Sequence, residues 1–97
     1  MKGLLIGESA DVTVQAHIRS AIESDPDVRR LIHLRTQHLG PEELLVAGKV
    51  EFDDDLAGDE LARAVDRIET AIRAAVPIAE LIYLEPDVAR ETAATGP

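Results

Sequence analysis

Three histidines, His17, His33 and His38, are the residues best fitted to unusual chemistry in this chain, because imidazole alone changes charge near neutral pH. They stand among 19 Asp and Glu residues and no Cys. Imidazole with carboxylate suits zinc and its divalent neighbours, whereas thiolate metal sites and disulfides are excluded. The spacings form no compact motif. His33 and His38 are five apart, so on a regular strand they point to opposite faces. His17 falls beside the apolar stripe of a helix, and no His-x-x-x-His pair occurs. Asp53-Asp54-Asp55 reads as an acidic turn ahead of a helix, where negative charge meets the positive end of the dipole. Ser9, Ser20 and Ser24 lie outside any Gly-x-Ser-x-Gly elbow, and the glycines form no phosphate loop. The chain therefore carries no catalytic set and reads as a non-enzyme.

The elements that position these residues centre on a hairpin from Leu31 to Phe52. Its first run has Val28, Ile32 and Leu34 at even numbers and Leu31, His33, Arg35 and Gln37 at odd ones. The second has Leu44, Val46, Val50 and Phe52 even, with Leu45, Ala47, Lys49 and Glu51 odd. Period two is the strand signature, and each even set makes one apolar face. Leu39-Gly40-Pro41-Glu42 breaks the runs, with Pro41 suited to a turn's second position and a loop longer than two residues. Before the hairpin, Ser9 or Asp11 can cap a helix whose stripe is Val14, Ile18, Ala21 and Ile22, ending by Asp25 ahead of Pro26. After it, Leu61, Ala64, Val65, Ile68, Ile72, Ala75 and Val76 trace a second helix, stopped at Pro77. Glu80 to Glu85 forms a third strand closed by Pro86, with Ile82 and Leu84 on the buried face.

The pattern predicts an α+β two-layer sandwich in the order α-β-β-α-β. The hairpin is antiparallel and the right-handed crossover parallel, so the three-stranded sheet is mixed, with the second strand central and both helices on the even face. The bare odd face then shows Leu31, Leu45, Ala47, Leu81 and Tyr83 among His33, Arg35 and Lys49. An exposed apolar sheet face wants a partner, and a second copy can supply it by two-fold symmetry. The chain has 97 residues, enough for one domain, and a net charge of −9, which argues against nucleic acid and is compatible with cations. No apolar run approaches the ~18 residues of a membrane helix. Leu4-Leu5-Ile6 reads as the end of something apolar upstream, or as a frayed arm or a packed strap, and residues 89–97 as a disordered tail.

Between Leu4 and Val88 the chain resembles the cytoplasmic C-terminal domain of cation diffusion facilitator transporters. The resemblance rests on Leu4-Leu5-Ile6-Gly7-Glu8-Ser9-Ala10, Leu34-Arg35-Thr36 followed by Gly40-Pro41, Val50-Glu51-Phe52 and Tyr83-Leu84-Glu85-Pro86. It implies a ferredoxin- or metallochaperone-like fold, with residues 1–9 following the last membrane helix and 10–88 forming the domain. It also implies a homodimer at the cytoplasmic face of the membrane, joined to the transmembrane domain of a proton-coupled, zinc-type efflux transporter. Where such domains place a histidine before an Asp-Leu-Arg-like run, this chain has Ile32, with His33 one step on. A second strand histidine falls at Lys49, a His-x-Asp pair becomes Tyr83 and Glu85, and a helix ligand falls near Ala16, beside His17.

The resulting metal candidates are His33 and Glu85, then His17 and His38, with zinc, another divalent cation or no metal at all as the ligand. The expected dimer face is Leu31, His33, Leu45, Ala47, Leu81 and Tyr83. The alternative is a free-standing small-ligand or metallochaperone-like module of the same fold.

Overall fold

A computed structural model describes residues 6–88. Its elements are α1 (Val12–Glu23), β1 (Val28–Gly40), β2 (Glu43–Phe52), α2 (Gly58–Ala75) and β3 (Ala79–Val88). The order α-β-β-α-β and the mixed sheet are as the sequence pattern predicts. β2 is central, antiparallel to β1 and parallel to β3. Both helices pack on one face: Ile18 and Ile22 from α1 and Ala64, Ile68 and Ile72 from α2 meet Leu44, Val46, Val50 and Phe52 from β2. The core is aliphatic around one ring, that of Phe52, which is fully buried.

Local chemistry sets the ends of the helices. Asp11 caps α1, its carboxylate accepting from the Val14 N–H at 2.9 Å. Ala57 opens α2 without a side-chain cap, and Glu60 compensates by reaching back to the Ala57 N–H at 2.7 Å. Val76 and Pro77 close the helix, as expected.

Three details differ from the sequence reading. First, only Pro41 and Glu42 separate β1 from β2, so the connection is a two-residue turn. Second, the alternation in β1 is interrupted. Leu31 pairs with Val50 and His33 with Lys49, leaving Ile32 as an extra residue in a bulge. The bulge turns Leu31 into the core, 8% exposed, and leaves Ile32 half-buried. Third, β3 runs through Pro86 to Val88. Proline lacks a donor, but β3 is an outer strand, where that is tolerated.

The segment Gly7–Ala10 straps along the outer side of β1. The Gly7 N–H donates to the His38 carbonyl at 2.7 Å, and the His38 N–H donates to the Glu8 carbonyl at 2.8 Å. The Ala10 N–H donates to Thr36 Oγ1 at 2.9 Å, and Gln15 Nε2 to the Ala10 carbonyl at 2.6 Å. Gly7 takes φ +93°, a left-handed value that a side chain would strain. The expected apolar start at Leu4-Leu5 and the expected tail 89–97 lie outside the described residues.

Candidate dimerisation and metal-binding face

Opposite the helices the sheet is uncovered, and its register arranges the side chains in rows across the three strands. One row is His33, Lys49 and Glu85; the next is Arg35, Ala47 and Tyr83; the third is Gln37, Leu45 and Leu81. Tyr83 is 61% and Leu81 38% exposed, while Leu45 and Ala47 are half-buried. Two shallow depressions share His33, Arg35 and Ala47. The larger, about 710 Å³, extends beneath the strap to Gly7, Ser9 and Gln15. The smaller, about 250 Å³, extends to Tyr83 and Glu85.

Charge on this face is divided by strand. Lys49 Nζ stands 4.0 Å from Glu85 Oε2, a loose and exposed pair. Arg30 on β1 is held by Glu51 at 2.7 Å. Among the described residues Arg35 is the one arginine or lysine without an ion-pair partner.

The four metal candidates are not gathered. His33 and Glu85 share the open face and one row, with Lys49 between them. His17 lines a groove between α1 and α2, beside Ser20 and Ala71, in the helix layer on the far side of the sheet. His38 stands near the end of β1, beside the turn, and is buried, 6% exposed. Its Nδ1 lies 3.1 Å from the Gly40 carbonyl, which can only accept, so Nδ1 carries the hydrogen in that bond. The Leu44 opposite it is core, so His38 belongs to the core face. Leu31, expected on the dimer face, is removed from it by the β1 bulge. No group of three or more His, Asp or Glu that could hold a metal occurs among the described residues. Among them, too, no helix is long and apolar enough to cross a membrane.

One polar cluster escapes the sequence reading. Arg67 of α2 forks onto the Asp25-Pro26-Asp27 turn, donating to both Asp25 oxygens at 3.0 Å and to Asp27 at 2.8 Å. Asp25 also accepts from the Asp27 N–H at 3.0 Å, in a side-chain-closed turn. Burial pushes the Asp25 carboxyl up, but the Arg67 hydrogen bonds, the Asp27 N–H and the guanidinium charge together hold it below its ordinary range. Asp25 raises Arg67 in return. The Asp-Pro-Asp turn is visible in the sequence; nothing there assigns it an arginine 40 residues on.

The profile of the cation efflux protein cytoplasmic domain matches residues 10–87. The chain belongs to that family. No curated protein sequence matches significantly. Among solved structures, a histidine-to-alanine variant of the MamM C-terminal domain superposes with a TM-score of 0.76 at 21% identity, covering 84% of this chain and 100% of that one. The nickel form of an aspartate-to-asparagine variant gives 0.73 at 20% identity, over 80% of this chain and 98% of the other. The copper form of an aspartate-to-histidine variant gives 0.73 at 20%, over 80% and 96%. At this identity the likeness concerns the fold.

Proposed function

We propose that this domain is the dimerising and regulatory cytoplasmic part of a proton-coupled efflux transporter for zinc or a similar divalent cation. Residues 10–88 form the regulatory unit, and residues 1–9 join it to the transmembrane part of the same protein at the cytoplasmic face of the membrane. The observation that carries this reading is the uncovered sheet face. Leu81 and Tyr83 project from it, with Leu45 and Ala47 beside them on β2. An apolar side chain of this size gains roughly 1.5–3 kcal/mol on full burial, and a few such residues offset part of the entropy cost of association.

Metal is the second part of the proposal. The nickel and copper forms among domains of the same fold support a divalent cation as the ligand class. Within one protomer Lys49 separates His33 from Glu85, so a cation there meets an ammonium where a second ligand is needed. Two chains sharing ligands relieve this, so binding is weak in a monomer and tighter in a dimer. Sedimentation of the purified chain at micromolar concentration tests the reading. A concentration-dependent dimer is expected, and a monomer at both low and high salt refutes it.

A further inference from the structure

The larger depression, about 710 Å³, has a lining unlike the rest of this acidic chain. None of its ten residues is Asp or Glu, although 19 of the 97 residues in the sequence are. In their place stand a guanidinium, an imidazole, a hydroxyl and a carboxamide, from Arg35, His33, Ser9 and Gln37. Glu8 lies on the strap between Gly7 and Ser9 without lining the depression. Arg35 is exposed and has no ion-pair partner among the described residues. Among the same residues the Ser9 hydroxyl and the Gln37 carboxamide make no hydrogen bond within the chain. We propose that this depression binds a phosphate monoester, with the Arg35 fork on the phosphate group.

The register places the donors in order. From His33 to Gln37 the pairing of β1 with β2 is regular, so His33, Arg35 and Gln37 share one face at steps of roughly 7 Å, with the guanidinium in the middle. A guanidinium offers paired N–H groups that match two oxygens of a phosphate. The ring N–H of His33, the Gln37 amide and the Ser9 hydroxyl add donors for a third oxygen, which a carboxylate lacks. Ser9 is held in place from both sides. The Glu8 carbonyl before it accepts from the His38 N–H at 2.8 Å, and the Ala10 N–H after it donates to Thr36 Oγ1 at 2.9 Å. Leu34, Leu45 and Ala47 supply apolar surface beside the donors for the organic part of the ester. The volume falls within the ~300–1,000 Å³ of small-molecule sites. Gln15 of α1 also lines the depression, so it reaches around the edge of β1 beneath the strap and is not confined to the open face. The smaller depression, which contains Glu85, is the one suited to a cation. The same phosphate chemistry is found in a soluble organic phosphate and in the headgroup of a phosphomonoester lipid.

The purified chain is titrated by calorimetry with phenyl phosphate, and separately mixed with phosphatidylcholine vesicles that contain or lack phosphatidic acid. Saturable binding is expected, weakened roughly tenfold or more by Arg35→Gln and unchanged by Arg19→Gln on α1. Arg35 is exposed and unpaired, so its replacement leaves the fold intact. Ser9→Ala, which removes a single neutral donor, is expected to weaken binding by a smaller factor. Binding of phenyl phosphate without vesicle capture assigns the site to a soluble ester. Capture only by vesicles with phosphatidic acid, lost in Arg35→Gln, assigns it to a lipid headgroup. Binding of neither probe, or binding that Arg35→Gln leaves unchanged, overturns the proposal. Sedimentation does not enter this test, so a monomeric chain defeats the dimer reading and leaves the phosphate site standing.

Discussion

Asp25 shows how much one residue contributes when its surroundings are built for its charged form. Its carboxylate is 7% exposed, grips the Arg67 fork and closes its own turn. Because its pKa is lowered in the folded state, its contribution is complete above the ordinary value of 3.8 and is lost as pH falls through the folded value. Asp25→Asn is expected to destabilise by roughly 1–3 kcal/mol at neutral pH and to flatten the decline in stability below pH 4. Urea unfolding at a series of pH values checks both. At the same scale, the proposed metal role rests on His33. Zinc binding by calorimetry near neutral pH should disappear in His33→Ala. Binding untouched by the substitution would assign the metal to other ligands. The residue types and faces of His33 and Glu85 were readable from alternation alone. Leu31 and His38 were not, because one depends on a bulge and the other on how far a strand continues past its last apolar alternation.

Among the elements, the helices and β2 followed from periodicity, since their apolar spacing is unbroken. β1 did not, because an inserted residue changes the face of the residues just before it, until a second irregularity between Val28 and Arg30 restores it, and Leu31-Ile32 offers two apolar residues that both suit a core. Gly48 is the weak point of β2. It is buried, its φ is negative, and an added methyl group would meet the His33 carbonyl and the Leu84 side chain at 3.5 Å, ordinary contact distance. Gly48→Ala should therefore stabilise the domain by about 0.4–1 kcal/mol, because the unfolded chain loses freedom and nothing folded is displaced. A denaturation midpoint moved upward at unchanged slope is the expected reading. Gly7 presents the opposite case. With φ +93° it holds the strap in a conformation that strains other residues by about 1–2 kcal/mol. Gly7→Ala should loosen the strap without unfolding the core, seen as amide exchange at His38 that is roughly fivefold or more faster while exchange in β2 is unchanged.

For the whole molecule, the opposing quantities are face and charge. Each chain carries −9, so two chains repel at long range. That repulsion is screened beyond about 8 Å at physiological ionic strength, whereas contacts across a packed seam are shorter. Raising salt from very low to about 0.15 M is therefore expected to tighten the proposed dimer in sedimentation, and a dimer that only weakens over this range would mean that seam ion pairs outweigh the overall repulsion. The two-layer architecture was legible because hydrophobic pattern and family resemblance agree on it. The clasp between Arg67 and the Asp25 turn was not, since α2 presents several exposed arginines and only the tertiary fold chooses among them.

The strap and Pro86 also decide how the sheet can grow. On one flank Gly7 and Glu8 occupy the outward hydrogen-bonding groups of His38, and bulges distort the strand on either side. On the other, Pro86 interrupts the row of donors that an added strand would need. Neither flank offers a long, straight template for strand addition, so lateral polymerisation into fibres is blocked while the broad surface stays open. Stacking by that surface consumes it in a single step, because each copy has only one. Such a domain can thus pair at high local concentration without seeding open-ended aggregates.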